Sequence, residues 1–250
     1  MPAPFFIQEF LVYPILAVGS WHLSTYYLLH VLATVAAGLL FFHLLFRDGA
    51  QGPMIRRLIV IIACGGLAGG YGIGFLLREF GVGSGVSSAW GALGGAAAAA
   101  IVASAGLGIP MLRLLDRGAP AAALWLGIGR IGCALAGCCY GRPTSGILAW
   151  DLPDIRGLTC GRYPTQLLSA AADFWIFGIL VVLDRRRTGP ASREGLSAAV
   201  FVSLYAVKRL ILDSLRGDLQ PALGPLTGSQ VVAALFLVAA LLVPVFSTRR

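Results

Sequence analysis

The sequence predicts an all-α, polytopic membrane protein of about seven transmembrane helices. Composition is the first ground: 58% of the 250 residues are hydrophobic and only 12% are charged, with a mean hydropathy of +0.83. A soluble domain of this size carries roughly twice that charge fraction to cover its surface. Distribution is the second. The apolar residues come in runs of about 20, each able to cross a hydrocarbon slab of roughly 30 Å as a helix. The third is where the +8 net charge lies. Basic residues cluster between the apolar runs, as in Arg56-Arg57, Arg185-Arg186-Arg187 and Arg249-Arg250. That pattern marks cytoplasmic loops and argues against a nucleic-acid-binding face.

Residues 3–18 are apolar but broken by Gln8, Glu9 and Pro14, which suits a segment lying along the interface. The first 20 residues lack a basic n-region and a cleavage site, so no removable signal peptide is expected. Spans are expected at about 25–46, 57–77, 88–111, 121–140, 166–184, 195–213 and 228–246. The loops after the first, third and fifth carry Arg47, Arg56 and Arg57, then Arg113 and Arg117, then Arg185, Arg186, Arg187 and Arg193. The alternate loops are nearly balanced: Arg78 with Glu79, then Arg142, Arg156 and Arg162 against Asp151 and Asp154. Positive loops inside place the N-terminus outside and the C-terminus in the cytoplasm. Residues 1–250 then form a single membrane domain, with 1–24 as an outer-face interfacial segment and 141–165 as an outer-face loop. Gly65-Gly66, Gly69-Gly70, Gly94-Gly95 and the alanine run 96–100 let helix backbones approach closely in lipid.

An ionisable residue within a span costs several kcal/mol unless paired or wetted, so each is a functional candidate. Arg130 lies in the fourth apolar run and Asp173 in the fifth, where a partner to a buried arginine is its ordinary role. Tyr205, Arg209, Asp213 and Arg216 fall at i, i+4, i+8 and i+11 and so share one helical face. The plain reading of that face is an Arg–Asp pair near the membrane surface, with Lys208 and Arg216 snorkelling. Lys208 is the only lysine among 19 basic residues, and guanidinium suits bidentate phosphate binding better than ammonium. Gly127, Gly129 and Gly132 flank Arg130; either a ligand headgroup or helix packing accounts for them.

The five cysteines do not have the spacing of a disulfide scaffold. In Cys133, Cys138 and Cys139 the spacing is not Cys-x-x-Cys and no histidine flanks it, so neither a metal nor a haem site is expected. A disulfide from Cys160 to Cys138 or Cys139 is the favoured structural reading in an oxidising outer loop. A redox-active or acyl-accepting thiol is the functional alternative. Cys64 reads as filler.

These residues resemble a family. Gly129-Arg130-Ile131-Gly132, continuing Cys133-Ala-Leu-Ala-Gly-Cys-Cys-Tyr-Gly141, is similar to the Gly-Arg-x-Gly-Asn-Phe-x-Asn-x-Glu-x-x-Gly signature of prolipoprotein diacylglyceryl transferases. Tyr163-Pro-Thr-Gln166-Leu resembles the family's Pro-(Ser/Thr)-Gln-Leu, and Asp173 falls where a glutamate is common. Tyr205-Ala-Val-Lys-Arg209-Leu-Ile-Leu-Asp213-Ser-Leu-Arg216 resembles Tyr-Gly-x-x-Arg-x-x-x-Glu-x-x-Arg. Thr227-Gly-Ser-Gln230 resembles the Met-Gly-Gln that opens the last helix, and Tyr26-Tyr27 echoes the family's Tyr-Gly. The matches run in order across nearly the whole chain.

The resemblance implies a multi-pass protein of the bacterial inner (plasma) membrane, with no cofactor. It implies transfer of diacylglycerol from phosphatidylglycerol to the lipobox cysteine of prolipoproteins, so its expected partners are phosphatidylglycerol, prolipoprotein signal peptides and membrane lipid. By position, Arg130, Arg209 and Asp213 are the expected catalytic residues. Tyr26, Tyr205, Cys133, Gly141, Gln166 and Arg216 are the expected substrate contacts. The sequence departs from the pattern where the chemistry should be. The family's Ser-x-His-Gly-Gly-Leu-x-Gly becomes Ser88-Ala-Trp90-Gly-Ala-Leu-Gly-Gly95, and indole cannot accept a proton. The signature asparagines and glutamate become Cys133, Ala136 and Cys138, and Tyr71 stands where an arginine is frequent. His30 reads as a packing residue, with a shifted base as the alternative. A second function therefore stands beside the first: lipid binding or translocation on the same scaffold without transferase chemistry.

Overall fold

The computed structural model describes residues 15–18, 21–79, 89–154, 156–186 and 194–247. Residues 3–14, Ser88, Arg187, Arg193, Arg249 and Arg250 lie outside the described residues, as does the side chain of Trp90.

Seven α-helices are formed among the described residues: α1 (Thr25–Arg47), α2 (Gly52–Glu79), α3 (Ala89–Leu107), α4 (Met111–Ala136), α5 (Thr165–Arg186), α6 (Leu196–Leu212) and α7 (Gly228–Ser247). Each coincides with an expected span. Thr25–Arg47, Gly52–Gly72, Met111–Ala136 and Thr165–Arg186 are long and apolar enough to cross a membrane; the apolar stretches of α3 and α7, Gly94–Leu107 and Gly228–Val238, are shorter. The chain is a mostly helical membrane protein in which exposed side chains such as Leu39, Val102, Trp175 and Leu235 are large and apolar.

The two largest departures from the sequence reading are these. Helix α4 begins ten residues before the expected 121 and runs through Pro120. Arg113, Asp116 and Arg117 end the apolar run without ending the helix. Residues 15–24 form a hairpin, β1 (Ile15–Val18) against β2 (Trp21–Ser24), with Ile15 opposite Ser24. Two further hairpins lie between helices: β3 (Trp150–Pro153) with β4 (Thr159–Arg162), and β5 (Pro221–Leu223) with β6 (Leu226–Thr227).

The chain divides into two compact units, one of residues 38–117 and the other of 1–37 with 118–250. In the 38–117 unit, Leu45, Ile55, Leu58, Ala103, Ile109 and Leu114 form the core. Asp48 caps this unit with a two-pronged ion pair to Arg117 at 2.5 and 2.7 Å. Helices α2 and α3 cross at glycines. A Cβ on Gly95 meets the Gly65 carbonyl oxygen at 2.1 Å and the Gly69 Cα at 2.9 Å, and one on Gly65 meets the Ala99 Cβ at 2.3 Å. Close backbone approach explains these residues without a ligand. Gly95→Val is expected to force the two helices apart and lower the thermal midpoint in detergent. Gly94→Val, whose Cβ has nothing within 4 Å, is the control; equal midpoints in the two variants would refute the contact.

In the other unit, Ala119 and Ala123 of α4 pack with Ile176 and Leu180 of α5, against Val200, Phe201 and Leu204 of α6. Lys208 and Asp173 join α6 to α5, with Nζ at 2.7 and 2.9 Å from the two carboxylate oxygens. Both residues are buried, at 6% and 0% exposure. Lys208 therefore does not snorkel, and the partner of Asp173 is a lysine where an arginine was expected. Removing one member of a buried pair strands the other charge and costs about 3–5 kcal/mol. Lys208→Met is expected to lower the thermal midpoint accordingly, and adding Asp173→Leu to recover most of the loss. A double variant no more stable than the single one would show that the charges are not coupled.

Candidate functional site: a cationic cleft beside three thiols

The site grows from the end of α4. The last turn closes as a left-handed cap: Gly137 has φ 70, and the Cys138 amide donates to the Cys133 carbonyl at 3.2 Å. The next residue but one, Cys139, also lies in the left-handed region, at φ 58, the only non-glycine to do so among the described residues. Two side chains at the start of α5 hold this turn. Gln166 Nε2 donates to the Cys138 carbonyl and Thr165 Oγ1 to the Cys139 carbonyl, both at 2.9 Å. Gln166, expected to contact substrate, thus spends its amide on the backbone, while its buried Oε1 has no partner among the described residues.

The chain leaving the turn pairs with the segment after α6. The Arg142 amide donates to the Leu215 carbonyl at 2.8 Å and the Gly217 amide to the Tyr140 carbonyl at 2.9 Å, with Gly141 bridged to Arg216. This pairing brings Arg216 beside the cysteine turn. Glycine at 141 is a steric requirement, because a Cβ there lies 2.1 Å from the Tyr163 carbonyl oxygen and 2.8 Å from its Cβ. Arg162 secures the same segment. It is 7% exposed, donates to Asp154 at 3.0 Å and lies over the Tyr140 ring at 5.0 Å. Desolvation alone would raise the Asp154 carboxyl, but the amides of Leu158 and Arg156, then Arg162, hold it below its ordinary value. Its contribution to stability is therefore present above the ordinary carboxylate range and is lost as pH falls through the lowered value.

Arg130, Cys139, Thr165, Ser169, Lys208, Arg209, Leu212, Asp213 and Arg216 line one cleft. As packed, the cleft has room for about one water molecule. Most of its cations are answered. Arg209 Nε lies 3.1 Å from Asp213 Oδ2, which also accepts from Ser229 Oγ at 2.6 Å. Arg216 pairs with Asp218 at 2.6 Å and lies 3.7 Å from the other oxygen of Asp213. Burial lowers the Arg216 guanidinium, yet the hydrogen bond to Asp218 leaves it above its ordinary value. Lys208 belongs to Asp173. Arg130 differs: among the described residues it has no hydrogen bond or ion pair. Four cations against the carboxylates of Asp173, Asp213 and Asp218 leave one positive charge in the cleft.

Of the residues singled out from sequence, Arg130, Arg209, Asp213 and Arg216 meet in the cleft, and Cys133, Gly141 and Gln166 build the turn beside it. The tyrosines stand apart from its lining. Tyr205 carries Lys208 Nζ over its ring at 4.2 Å and stacks on Phe201. Tyr26 packs on His30 with ring centroids 4.1 Å apart and planes tilted by 33°. His30 Nδ1 donates to the Tyr26 carbonyl at 2.8 Å, and a Cβ on Gly129 comes within 3.3 Å of its Nε2. The glycines beside Arg130 are thus explained by packing: Gly129 and Gly132 against α1, and Gly127 against Phe174. His30 does not line the cleft.

Sequence reasoning missed Lys208, Cys139, Thr165 and Ser169 as cleft residues. It also missed Ser229, whose hydroxyl fixes the carboxylate that orients Arg209. The similarity of Thr227-Gly-Ser-Gln230 to a family segment was its only signal. All five cysteines are free thiols. Cys160, on β4 opposite Leu152, is not disulfide-bonded. Cys133, Cys138 and Cys139 meet instead, their sulfurs within 4.8 Å of one another.

A helical membrane protein with a cationic cleft, one of whose arginines has no partner among the described residues, is the class that this geometry defines. The chain belongs to the prolipoprotein diacylglyceryl transferase family, whose model it matches over residues 14–246. It is 36% identical over 126 residues to a phosphatidylglycerol–prolipoprotein diacylglyceryl transferase of Clostridium tetani, a match covering 49% of each chain. With the relative of that name from Rhodopseudomonas palustris it shares 26% identity over 254 residues, covering 93% of this chain and 87% of the relative. For the relative from Nitrobacter winogradskyi the figures are 31% over 166 residues, 66% and 56%. In the Clostridium tetani match the chain spans about half the relative's length.

Gly141→Ala is expected to break the pairing of 140–142 with 215–217, displace Arg216 and lower the thermal midpoint. Gly178→Ala on α5, where a Cβ meets nothing within 4 Å, serves as its control. Gly141→Ala with the stability of wild type would refute the steric requirement.

Proposed function

We propose that the protein transfers diacylglycerol from phosphatidylglycerol to the lipobox cysteine of prolipoproteins, in the inner membrane of a bacterium. The guanidinium of Arg130, without a partner among the described residues and set in one cleft with Arg209 and Arg216, is the observation that carries this reading. The surplus positive charge of the cleft matches a phosphodiester monoanion. When the acceptor thiolate attacks the glycerol carbon, the C–O bond to phosphate breaks and negative charge builds on the departing glycerol phosphate. Fixed guanidinium groups in a low-dielectric site stabilise that charge more than water does. Asp213, tied to Ser229, orients Arg209, and Arg216 lines the cleft from the segment 215–217. In this reading all seven helices span the membrane within one membrane domain. The N-terminus and the 141–165 loop are outside and the C-terminus is cytoplasmic, which puts the cleft near the outer leaflet, where prolipoprotein acceptors present their thiol.

A second reading rests on Trp90, which stands where the family carries histidine and offers no base. In that reading the cleft holds the same headgroup without transferase chemistry. Purified protein in phosphatidylglycerol vesicles, given a lipobox peptide, separates the two: thioether product supports the transferase, and binding of phosphatidylglycerol without product supports the alternative.

Arg130→Ala and Arg209→Ala are each expected to cut transferase activity by roughly 100-fold or more, the order seen when one oxyanion donor is removed. Membrane insertion should be unaffected, because losing a costly intramembrane charge does not disfavour insertion. Wild-type activity in both variants, measured by rescue of prolipoprotein processing in cells depleted of their own transferase, would refute the assignment.

A further inference from the structure

The three thiols gathered at the end of α4 have been given no chemical role, although Cys139 borders the cleft, and two of them, Cys133 and Cys138, stand where the signature carries asparagine and glutamate. We propose that Cys133, Cys138 and Cys139 bind one thiophilic closed-shell metal ion, of the Zn(II) class, whose fourth position takes the acceptor thiol.

The geometry is close to what such an ion needs. The sulfurs lie within 4.8 Å of one another. Zinc–sulfur bonds of about 2.3 Å in a tetrahedron set sulfurs roughly 3.8 Å apart, so side-chain rotation has at most about 1 Å to close. The spacing Cys-x4-Cys-Cys looks wrong for a metal only on a straight helix or strand. Gly137 at φ 70 and Cys139 at φ 58 turn the chain so that two adjacent side chains join the one a turn earlier. Such a conformation is held only where its surroundings enforce it, and here Gln166 and Thr165 grip the two carbonyls of the turn. Support of that kind, one shell out, keeps metal ligands in place.

Three protein ligands with an open fourth position are the arrangement of a catalytic zinc site. Cys139 borders the cleft, so that side of the triad faces the anion site. A thiol that coordinates there loses its proton, which supplies the thiolate without a histidine. The sulfur lone pair then forms the C–S bond as the C–O bond breaks. Its electron pair leaves with glycerol phosphate, which takes up the released proton. This role rests on the transferase reading; the binding of the ion does not.

The test uses the full-length protein in detergent, stripped with a chelator and titrated with Cd(II). One equivalent is expected to give a thiolate-to-cadmium charge-transfer band in the ultraviolet. Cys133→Ser, Cys138→Ser and Cys139→Ser should each lose it, and Cys64→Ser and Cys160→Ser should keep it. Elemental analysis of the unstripped protein should find about one zinc per chain, and stripping should cut thioether formation at least tenfold, with Zn(II) restoring it. No band, or a band that persists in all three triad variants, overturns the site. Full activity in metal-free protein overturns its role. Metal-loaded wild type that binds Cd(II) as described yet forms no thioether would instead refute the transferase reading and leave the ion site standing.

Discussion

Charge inside a helical membrane protein must be answered at hydrogen-bond distance, and that constraint organises one whole unit of this chain. Lys208 meets Asp173 across α5 and α6, and Arg209 meets Asp213 along α6. Asp213 is held in turn by Ser229 from the start of α7. Each link joins a different pair of elements, so helix placement and charge neutralisation are the same set of contacts. Against that background a guanidinium with no partner among the described residues stands out. Among the described residues Arg130 has no such partner in a cleft whose other cations, Lys208, Arg209 and Arg216, are matched, and an uncompensated charge in such surroundings is costly unless a ligand completes it.

The helices were legible because a membrane imposes a length. The apolar runs lie where helices form, four of them long and apolar enough to cross a membrane among the described residues, and the largest boundary difference has a simple cause. Helix α4 continues through Arg113, Asp116 and Arg117 because a helix needs satisfied backbone groups, not apolar side chains, once it leaves hydrocarbon. The hairpins were not legible: strands of two to four residues are too short to show a period. The pairing of 140–142 with 215–217 was also invisible, since it depends on glycine at 141 meeting the backbone of Tyr163 across 22 positions of sequence.

The site was half legible for a related reason. Helical spacing put Arg209, Asp213 and Arg216 on one face, and all three line the cleft; yet α6 ends at Leu212 and Arg216 is extended, carried there by the pairing with 140–142 and not by the helix. The same spacing gave no warning that Lys208, one residue before Arg209, turns toward Asp173 and is buried. Tyr205 shares the face by angle, yet its ring serves as a platform for the lysine and takes no part in the lining. A helical wheel orders residues around one axis but carries nothing about which neighbour each direction meets. Glycines were ambiguous for the opposite reason. Close approach was certain, and only the structure could show that His30, Leu29 and Phe174 make it at Gly129, Gly132 and Gly127.

The departures from the family pattern are better understood together than singly. An asparagine and a glutamate of the signature are replaced by cysteines, and the histidine position by tryptophan; separately, each looks like lost function. Folded, the two replacement cysteines and Cys139 converge on one point beside the uncommitted arginine, and the turn that gathers them is gripped by the first two residues of α5. Random decay of an active site does not assemble three soft nucleophiles within 4.8 Å or keep a non-glycine residue in a left-handed conformation to do so. A residue set that loses its nitrogen and oxygen bases while concentrating sulfur has exchanged one means of handling a thiol proton for another. On the proposed reading the arginines hold the phosphate, so they have no reason to change with it, and they have not.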